Sequence, residues 1–305
     1  MAETRRGAVR IAQVWGINVF VHWSWLVVAV ISITIRRETY KSPIWIVIEY
    51  LSLFAIVLVH EFGHSLACRQ VGGVANQIML WPLGGVAFVS PPPRPGATLW
   101  TIAAGPLVNV ALAPVTFAGA YAALHSALPG ADLRHYAVSV AQINIVLLVF
   151  NMLPIYPLDG GQILQSILWF IVGRVWSLKI VSVLGMVVGV VLAALCLYAR
   201  LAWLTLMSVF VVWRSFAGWQ QAQALSRMLD APRHAEYACP SCGASPPSGE
   251  YWLCGKCHTR FDTFAERGIC PGCGGNFKDT QCPACHARHS IDRWLLAPII
   301  EADPV

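Results

Sequence analysis

Charge is scarce in this sequence, and acid is scarcest. Only 12% of the 305 residues are charged, against about 25% in an ordinary soluble domain. Up to residue 229 the only acids are Glu3, Glu38, Glu49, Glu61, Asp132 and Asp159, and eight of the fifteen in the chain lie after residue 233. So little charge cannot clothe a water-soluble surface. The first two-thirds of the chain therefore reads as an α-helical polytopic membrane protein, whose spanning helices satisfy their backbone internally. Cysteine is nearly missing from the same region. Cys68 and Cys196 stand alone, and the other eight form four C-x-x-C pairs between Cys239 and Cys285. The division implied is a membrane domain over 1–229, a linker over 230–238, a small cysteine-rich domain over 239–286 and a tail over 287–305.

About six transmembrane helices are expected, near 18–36, 44–68, 97–124, 136–172 (broken in the middle), 178–199 and 201–219. Each is close to the ~20 residues that cross about 30 Å of hydrocarbon. The basic start before the first apolar run resembles a signal peptide. No small-residue cleavage site follows it and the run is too long for a signal core, so a retained helix is expected. Arg5, Arg6, Arg10, Arg69, Arg94, Arg174, Lys179, Arg214 and Arg227 fall on one side of this layout. Arg36, Arg37, Lys41, Arg134 and Arg200 fall on the other. The bias places both termini in the cytosol of a multi-pass cell-membrane protein.

Two stretches do not read as helix. Val9–Val21 alternates β-branched residues around Gly16, and Gln77–Val89 is two short apolar runs around Pro82, Gly84 and Gly85. The second is a hairpin signal, too short to span, and is expected as a re-entrant β-hairpin joined by strands from the N-terminal stretch. Bare backbone at membrane depth is tolerated only inside protein or beside a cavity, so the hairpin implies a cavity.

Against this apolar background, His60, Glu61 and His64 interrupt the second span within five residues. Ionisable groups at such a depth are costly and mark function. H-E-x-x-H on a helix sets two imidazoles on one face at zinc-ligand spacing, with the Glu beside the first as general base. A catalytic zinc takes three protein ligands and keeps one open position. The one later acid inside a span is Asp159, flanked by the helix breakers Pro154, Pro157, Gly160 and Gly161. It is the expected third ligand. Glu49, near the outer end of its span, is expected to reach headgroups or water. His22 is expected to hydrogen-bond to the hairpin or to a neighbouring helix.

HEFGH at 60–64, PLGG at 82–85, GPLVN at 105–109 and N-x-x-P-x-x-P-L-D-G-G at 151–161 together resemble the site-2 proteases, the intramembrane zinc metalloproteases. The layout is most similar to a prokaryotic six-span subgroup, and the resemblance covers roughly residues 8–220. It implies that His60, His64 and Asp159 hold zinc and that Glu61 is the base. It also implies that Asn151 lies along the substrate backbone and that Asn109 supports the developing oxyanion or packs helices. No PDZ-like insertion separates the spans and no CBS pair follows.

The cysteine pairs are CPSC (Cys239, Cys242), CGKC (Cys254, Cys257), CPGC (Cys270, Cys273) and CPAC (Cys282, Cys285). Two C-x-x-C knuckles make one closed, structural Cys₄ zinc site. Taken in order they predict a double zinc ribbon with Cys239/Cys242/Cys254/Cys257 in one site and Cys270/Cys273/Cys282/Cys285 in the other, for one catalytic and two structural zinc ions in all. His258, His286 and His289 lie nearby as possible substitute ligands. Disulfides would need an oxidising compartment. Residues 234–305 carry eight acids and six Lys or Arg, so nucleic acid, which demands a basic face, is an unlikely partner. The expected partners are transmembrane protein substrates, lipid and a cytosolic protein recruited through the ribbons.

The function expected is hydrolysis of peptide bonds in or near transmembrane helices of membrane-anchored substrates. The alternative is a catalytically silent scaffold that binds transmembrane helices and signals through the ribbons. A metal transporter would need further intramembrane carboxylates or His rows, which the sequence lacks.

Overall fold

The computed structural model describes residues 7–81, 84–126, 130–285 and 287–296. Pro82 and Leu83 of the PLGG stretch, Arg5 and Arg6, His286 and the tail beyond residue 296 lie outside the described residues. The chain divides into two compact units, Met1–Trp219 and Gln220–Val305.

The first unit opens with two strands, β1 (Ala8–Val14) and β2 (Ile17–His22). Between them Trp15 and Gly16 both take positive φ, the backbone of a tight hairpin turn. β2 then pairs in parallel with β3 (Val74–Trp81), which pairs antiparallel with β4 (Gly84–Ser90). The strand order is β1-β2-β3-β4, so β4 forms an edge. The expected first span is thereby shortened. Ile17 and Val19 are buried in the sheet, and only Trp25–Arg36 (α1) is helical, twelve residues long. The alternation of β-branched residues outweighed the apolar length.

Among the described residues four helices are long and apolar enough to cross a membrane: α2 (Ile44–Gln70), α3 (Pro95–His125), α4 (Ala131–Asn151) and α5 (Asp159–Tyr198). The broken fourth span appears as α4 and the start of α5, with a non-helical link over 152–158. α5 itself is interrupted at Gly173, whose φ of 79° and ψ of 169° leave the helical region. Glycine takes that conformation without a Cβ penalty. α6 (Ala202–Asp230) carries Arg214 and a polar second half and does not meet the same length and apolarity.

The sheet packs on α2. Ile17, Ile78 and Leu80 from β2 and β3 meet Val57 of α2 and Trp25 of α1 in one buried cluster. Arg69, in the last turn of α2, donates from Nε to the Ala75 carbonyl (2.9 Å) and also bonds the Trp15 carbonyl. These contacts fix the hairpin along the half of α2 that carries His60, Glu61 and His64. At the opposite end Glu49 does not reach water: it is buried, pairs with Arg36 (3.3 Å) and accepts the Tyr40 hydroxyl. A carboxylate buried in an apolar setting persists only when paired. His22 ends β2, with Nδ1 against the Ser24 hydroxyl (2.5 Å) and its ring stacked on Trp81 of the hairpin.

The second unit holds two short antiparallel pairs, β5 (Trp252–Leu253) with β6 (Arg260–Phe261) and β7 (Asp279–Gln281) with β8 (Arg288–Ser290). Tyr237, Phe264, Ile291 and Trp294 form its main apolar cluster. Asp262 ties its loops together by accepting from Gly249 N–H (2.6 Å), His234 Nε2 (2.8 Å) and Phe264 N–H (3.0 Å). Burial alone would raise its pKa, but these donors outweigh burial and hold it below the usual range.

Candidate functional site

His60 and His64 lie one turn apart on α2, and Asp159 begins α5. Their tips meet: His60 Nε2 is 3.1 Å from His64 Nε2 and 3.1 Å from Asp159 Oδ2, and His64 Nε2 is 3.5 Å from the same oxygen. All three residues are buried or nearly so.

The other nitrogen of each ring is occupied. His64 Nδ1–H donates to the Thr101 carbonyl (2.9 Å), and His60 Nδ1–H donates to Asn109 Oδ1 (2.6 Å). Both partners belong to α3. With their protons on Nδ1, both Nε2 atoms present bare lone pairs. Asp159 Oδ2, though buried, accepts no hydrogen bond, so with both rings neutral three acceptors converge. Such a cluster is unstable unless a cation joins it. About 3.3 Å between donors follows from tetrahedral zinc with ~2.0–2.1 Å arms to nitrogen or oxygen, and the observed separations bracket that value. Zinc fits these residues.

Gly105 of α3 makes the space. A Cβ built there would stand 2.2 Å from His64 Nε2 and 2.9 Å from His60 Nε2, on the ground a metal would take. Glycine in a helix interior costs about 1 kcal/mol relative to alanine, so the site explains a residue that the helix alone would disfavour. Gly160 and Gly161 act similarly at the start of α5: Cβ atoms there would meet the backbone of Met152 and of Ile155 at 2.4 and 2.5 Å. Their absence lets the 152–158 link fold tightly over Asp159.

Glu61 points to the hairpin. Its Oε2 accepts the Ala87 N–H of β4 (2.7 Å), and a Cβ on Gly85 would come within 2.3 Å of its side chain. The second glycine of PLGG therefore lets the strand press against the carboxylate. Because the Ala87 N–H is spent on Glu61, this residue directs its polar groups away from β3, toward the open side of the sheet.

Asn109 is fully buried, and both ends of its amide are taken, by His60 and by Asn144 of α4. Asn151, at the end of α4, makes no side-chain hydrogen bond among the described residues. Asn144 and Thr101 were not singled out from the sequence. An asparagine inside an apolar run was the available signal for the first, but the contribution of Thr101 is a backbone carbonyl that no side chain announces.

The eight cysteines of the second unit gather in two groups, paired differently from the order in the chain. One is Cys239, Cys242, Cys282 and Cys285; the other is Cys254, Cys257, Cys270 and Cys273. The first and last knuckles meet because the ends of the unit do: Ala238 N–H bonds the Trp294 carbonyl (2.8 Å) and Leu296 N–H bonds that of Glu236 (3.0 Å). The expected pairing of successive knuckles is thus replaced by one site nested within another. Sulfurs lie 3.7 and 3.8 Å apart in the outer group and 3.6 and 3.5 Å in the inner. Tetrahedral zinc with Zn–S of about 2.3 Å requires roughly 3.8 Å, so both groups fit it. In the inner group the Thr259 hydroxyl and N–H draw the Cys257 thiol down to about 6, toward the thiolate that binds metal. His258 belongs to neither group, and His289 Nε2 is engaged by the Ser241 hydroxyl (2.7 Å).

The first unit thus gathers two histidines and a carboxylate at a spacing that fits a metal ion, with a second carboxylate beside them, among helices apolar enough to cross a membrane. A profile of peptidase family M50 matches residues 48–129 and 119–196. A zinc metalloprotease of Methanocaldococcus jannaschii is 29% identical over 208 residues, 67% of this chain and 58% of that one. A putative zinc metalloprotease of the same organism is 30% identical over 151 residues, 42% of this chain and 77% of that one. A solved site-2 protease from M. jannaschii superposes with a TM-score of 0.52 and 26% identity, over 70% of this chain and 95% of that one. This chain belongs to peptidase family M50, the site-2 proteases, and is a multi-pass membrane protein. It spans 45–58% of the length of several curated relatives that it matches.

Proposed function

We propose that the chain is a zinc endopeptidase that hydrolyses peptide bonds in or near transmembrane segments of membrane-anchored proteins. The observation that carries this reading is the convergence of three bare acceptors from α2 and α5, next to a carboxylate held by an edge strand. Zinc bound by His60, His64 and Asp159 would polarise the scissile carbonyl and acidify a water toward neutral pH. Glu61 takes the proton of the attacking water and returns it to the leaving amine. Asn151, eight residues before Asp159 and without a hydrogen bond among the described residues, would bond the substrate backbone. Asn109 acts through His60 instead of as an oxyanion donor, since neither end of its amide is free.

Six crossings accommodate the elements if β2 and α1 together make the first, α4 and the first half of α5 form one interrupted crossing, and the second half of α5 and α6 form two more. With the basic bias, this leaves both termini cytosolic. The second unit, read as a nested double zinc ribbon, is a site for cytosolic protein recruitment. The deciding experiment uses purified chain in vesicles with a panel of single-span substrates. We expect cleavage within or near the span, abolished by a chelator and restored by zinc. Zinc-loaded chain that cuts none of the panel would overturn the proposal.

A helix hides its peptide bonds, so the substrate must unwind before it is cut. The outward edge of β4 at Gly85 and Val89, with the Ala87 carbonyl between them, would offer an extended segment main-chain partners, as in β-strand addition. Ala87→Pro removes the N–H that holds Glu61 and lies on that edge, while the ladder to β3 is spared; edge positions tolerate proline. A hydrogen bond to a charged group contributes about 1.5–3 kcal/mol, so cleavage should slow roughly tenfold or more with zinc content unchanged. Cleavage at the wild-type rate would exclude the Ala87–Glu61 bond from the mechanism.

The nested thiols make a separate forecast. Cys242→Ser with Cys285→Ser should abolish one four-thiol site, whereas Cys242→Ser with Cys257→Ser should damage both. Metal analysis after mild chelation distinguishes them; the reverse pattern would restore the sequential pairing.

A further inference from the structure

We infer that Asn144 is a positioning residue for the metal centre: through Asn109 it fixes the tautomer of His60. The inference rests on the reading of His60, His64 and Asp159 as zinc ligands. It starts from the main chain. The Asn109 carbonyl on α3 can only accept a hydrogen bond, and it accepts one from Asn144 Nδ2 (3.0 Å). That contact turns Asn144 Oδ1 toward the Asn109 side chain, where it accepts from Asn109 Nδ2 (2.8 Å). Asn109 must then present Oδ1 to His60, and His60 Nδ1 must carry the proton (2.6 Å). Nε2 is left bare, facing Asp159.

No other arrangement satisfies the group. Flipping the Asn109 amide would oppose two oxygens between the asparagines, and flipping Asn144 as well would set its oxygen against a carbonyl. Both asparagines are fully buried, so water cannot relieve a mismatch, and an unmet buried polar group carries its full desolvation penalty. A backbone oxygen two side chains away therefore selects which nitrogen of His60 is free. His64 needs no such relay, because the Thr101 carbonyl sets its tautomer directly. Partners that orient a ligand histidine commonly govern metal affinity.

The test measures zinc competition against a chelator on the full chain in detergent, with the four-thiol sites as the internal reference. Asn144→Leu frees the Asn109 amide to turn and should weaken the chelator-labile zinc by about 10–100-fold, leaving the thiol-held zinc in place. Asn144→Asp, held neutral by its full burial, keeps the acceptor for Asn109 Nδ2 and donates its hydroxyl to the Asn109 carbonyl, so it should stay near wild type. In an Asn109→Asp background either carboxyl oxygen can accept from His60 while the other carries the proton toward Asn144, so the orientation of residue 109 no longer matters. Adding Asn144→Leu there should change affinity by no more than about twofold, as for independent sites. Wild-type affinity in Asn144→Leu, an equal loss in Asn144→Asp, or the same loss in the Asn109→Asp background would each reduce Asn144 to interhelical packing and overturn the inference. Failure of the ligand reading looks different: the unmodified chain would then hold no labile zinc beyond its thiol sites.

Discussion

Glu61→Gln is expected to retain all of its zinc and to cut single-span substrates about 10²–10⁴-fold more slowly, the usual contribution of a general acid–base group. The two properties separate because Glu61 is not among the three converging acceptors. The substitution is isosteric, and a glutamine oxygen can still accept the Ala87 N–H that Glu61 holds at 2.7 Å. The hairpin and the buried side chain keep their places, and what disappears is a group able to take a proton. The measurement pairs zinc content with the cleavage rate in vesicles. Wild-type cleavage by a zinc-loaded Glu61→Gln enzyme would remove Glu61 as the base.

Gly105→Ala should have the larger effect on the metal. Alanine is the better helix former by about 1 kcal/mol, so α3 itself gains. Yet the new methyl would lie 2.2 Å from His64 Nε2 and 2.9 Å from His60 Nε2, inside the space enclosed by the ligands. Neither ring can step aside without giving up its Nδ1 bond to α3, to Thr101 for His64 and to Asn109 for His60. The variant is expected to fold, to lose the chelator-labile zinc and to be inactive, with its thiol-bound zinc intact. Circular dichroism and metal content together check this. Retention of the labile zinc at wild-type affinity would show that the metal does not lie between these rings.

The three residues proposed to hold the metal, which the structure brings together, could be named because their signals are local or singular. His60 and His64 are one turn apart, and Asp159 stands alone among apolar residues with breakers on both sides. The small sheet was legible from β-branched alternation, although that same alternation shortened the first helix below spanning length. Asn144 looked like any polar residue between packed helices, since its meaning depends on the rotation of α4 against α3. Glu49 was misjudged because Arg36 and Tyr40, which bury it, come from a turn whose path the apolar pattern does not record. The knuckle pairing was read by adjacency, but strand ends around Ala238 and Trp294 decide it, and their contacts are long-range.

That nesting has a consequence for the order in which metal is taken up. Cys257 and Cys270, which meet in the inner group, are 13 residues apart, while Cys242 and Cys282 of the outer group are 40 apart. Closing the longer loop from an unfolded chain costs about 1 kcal/mol more, by the logarithmic dependence of closure entropy on length. Once the inner four thiols are joined, the chain between the outer knuckles is already cinched and most of that difference vanishes. With an ion in each group, as proposed, the first would prepare the site of the second, and the two should load sequentially, from the inside outward, with positive cooperativity.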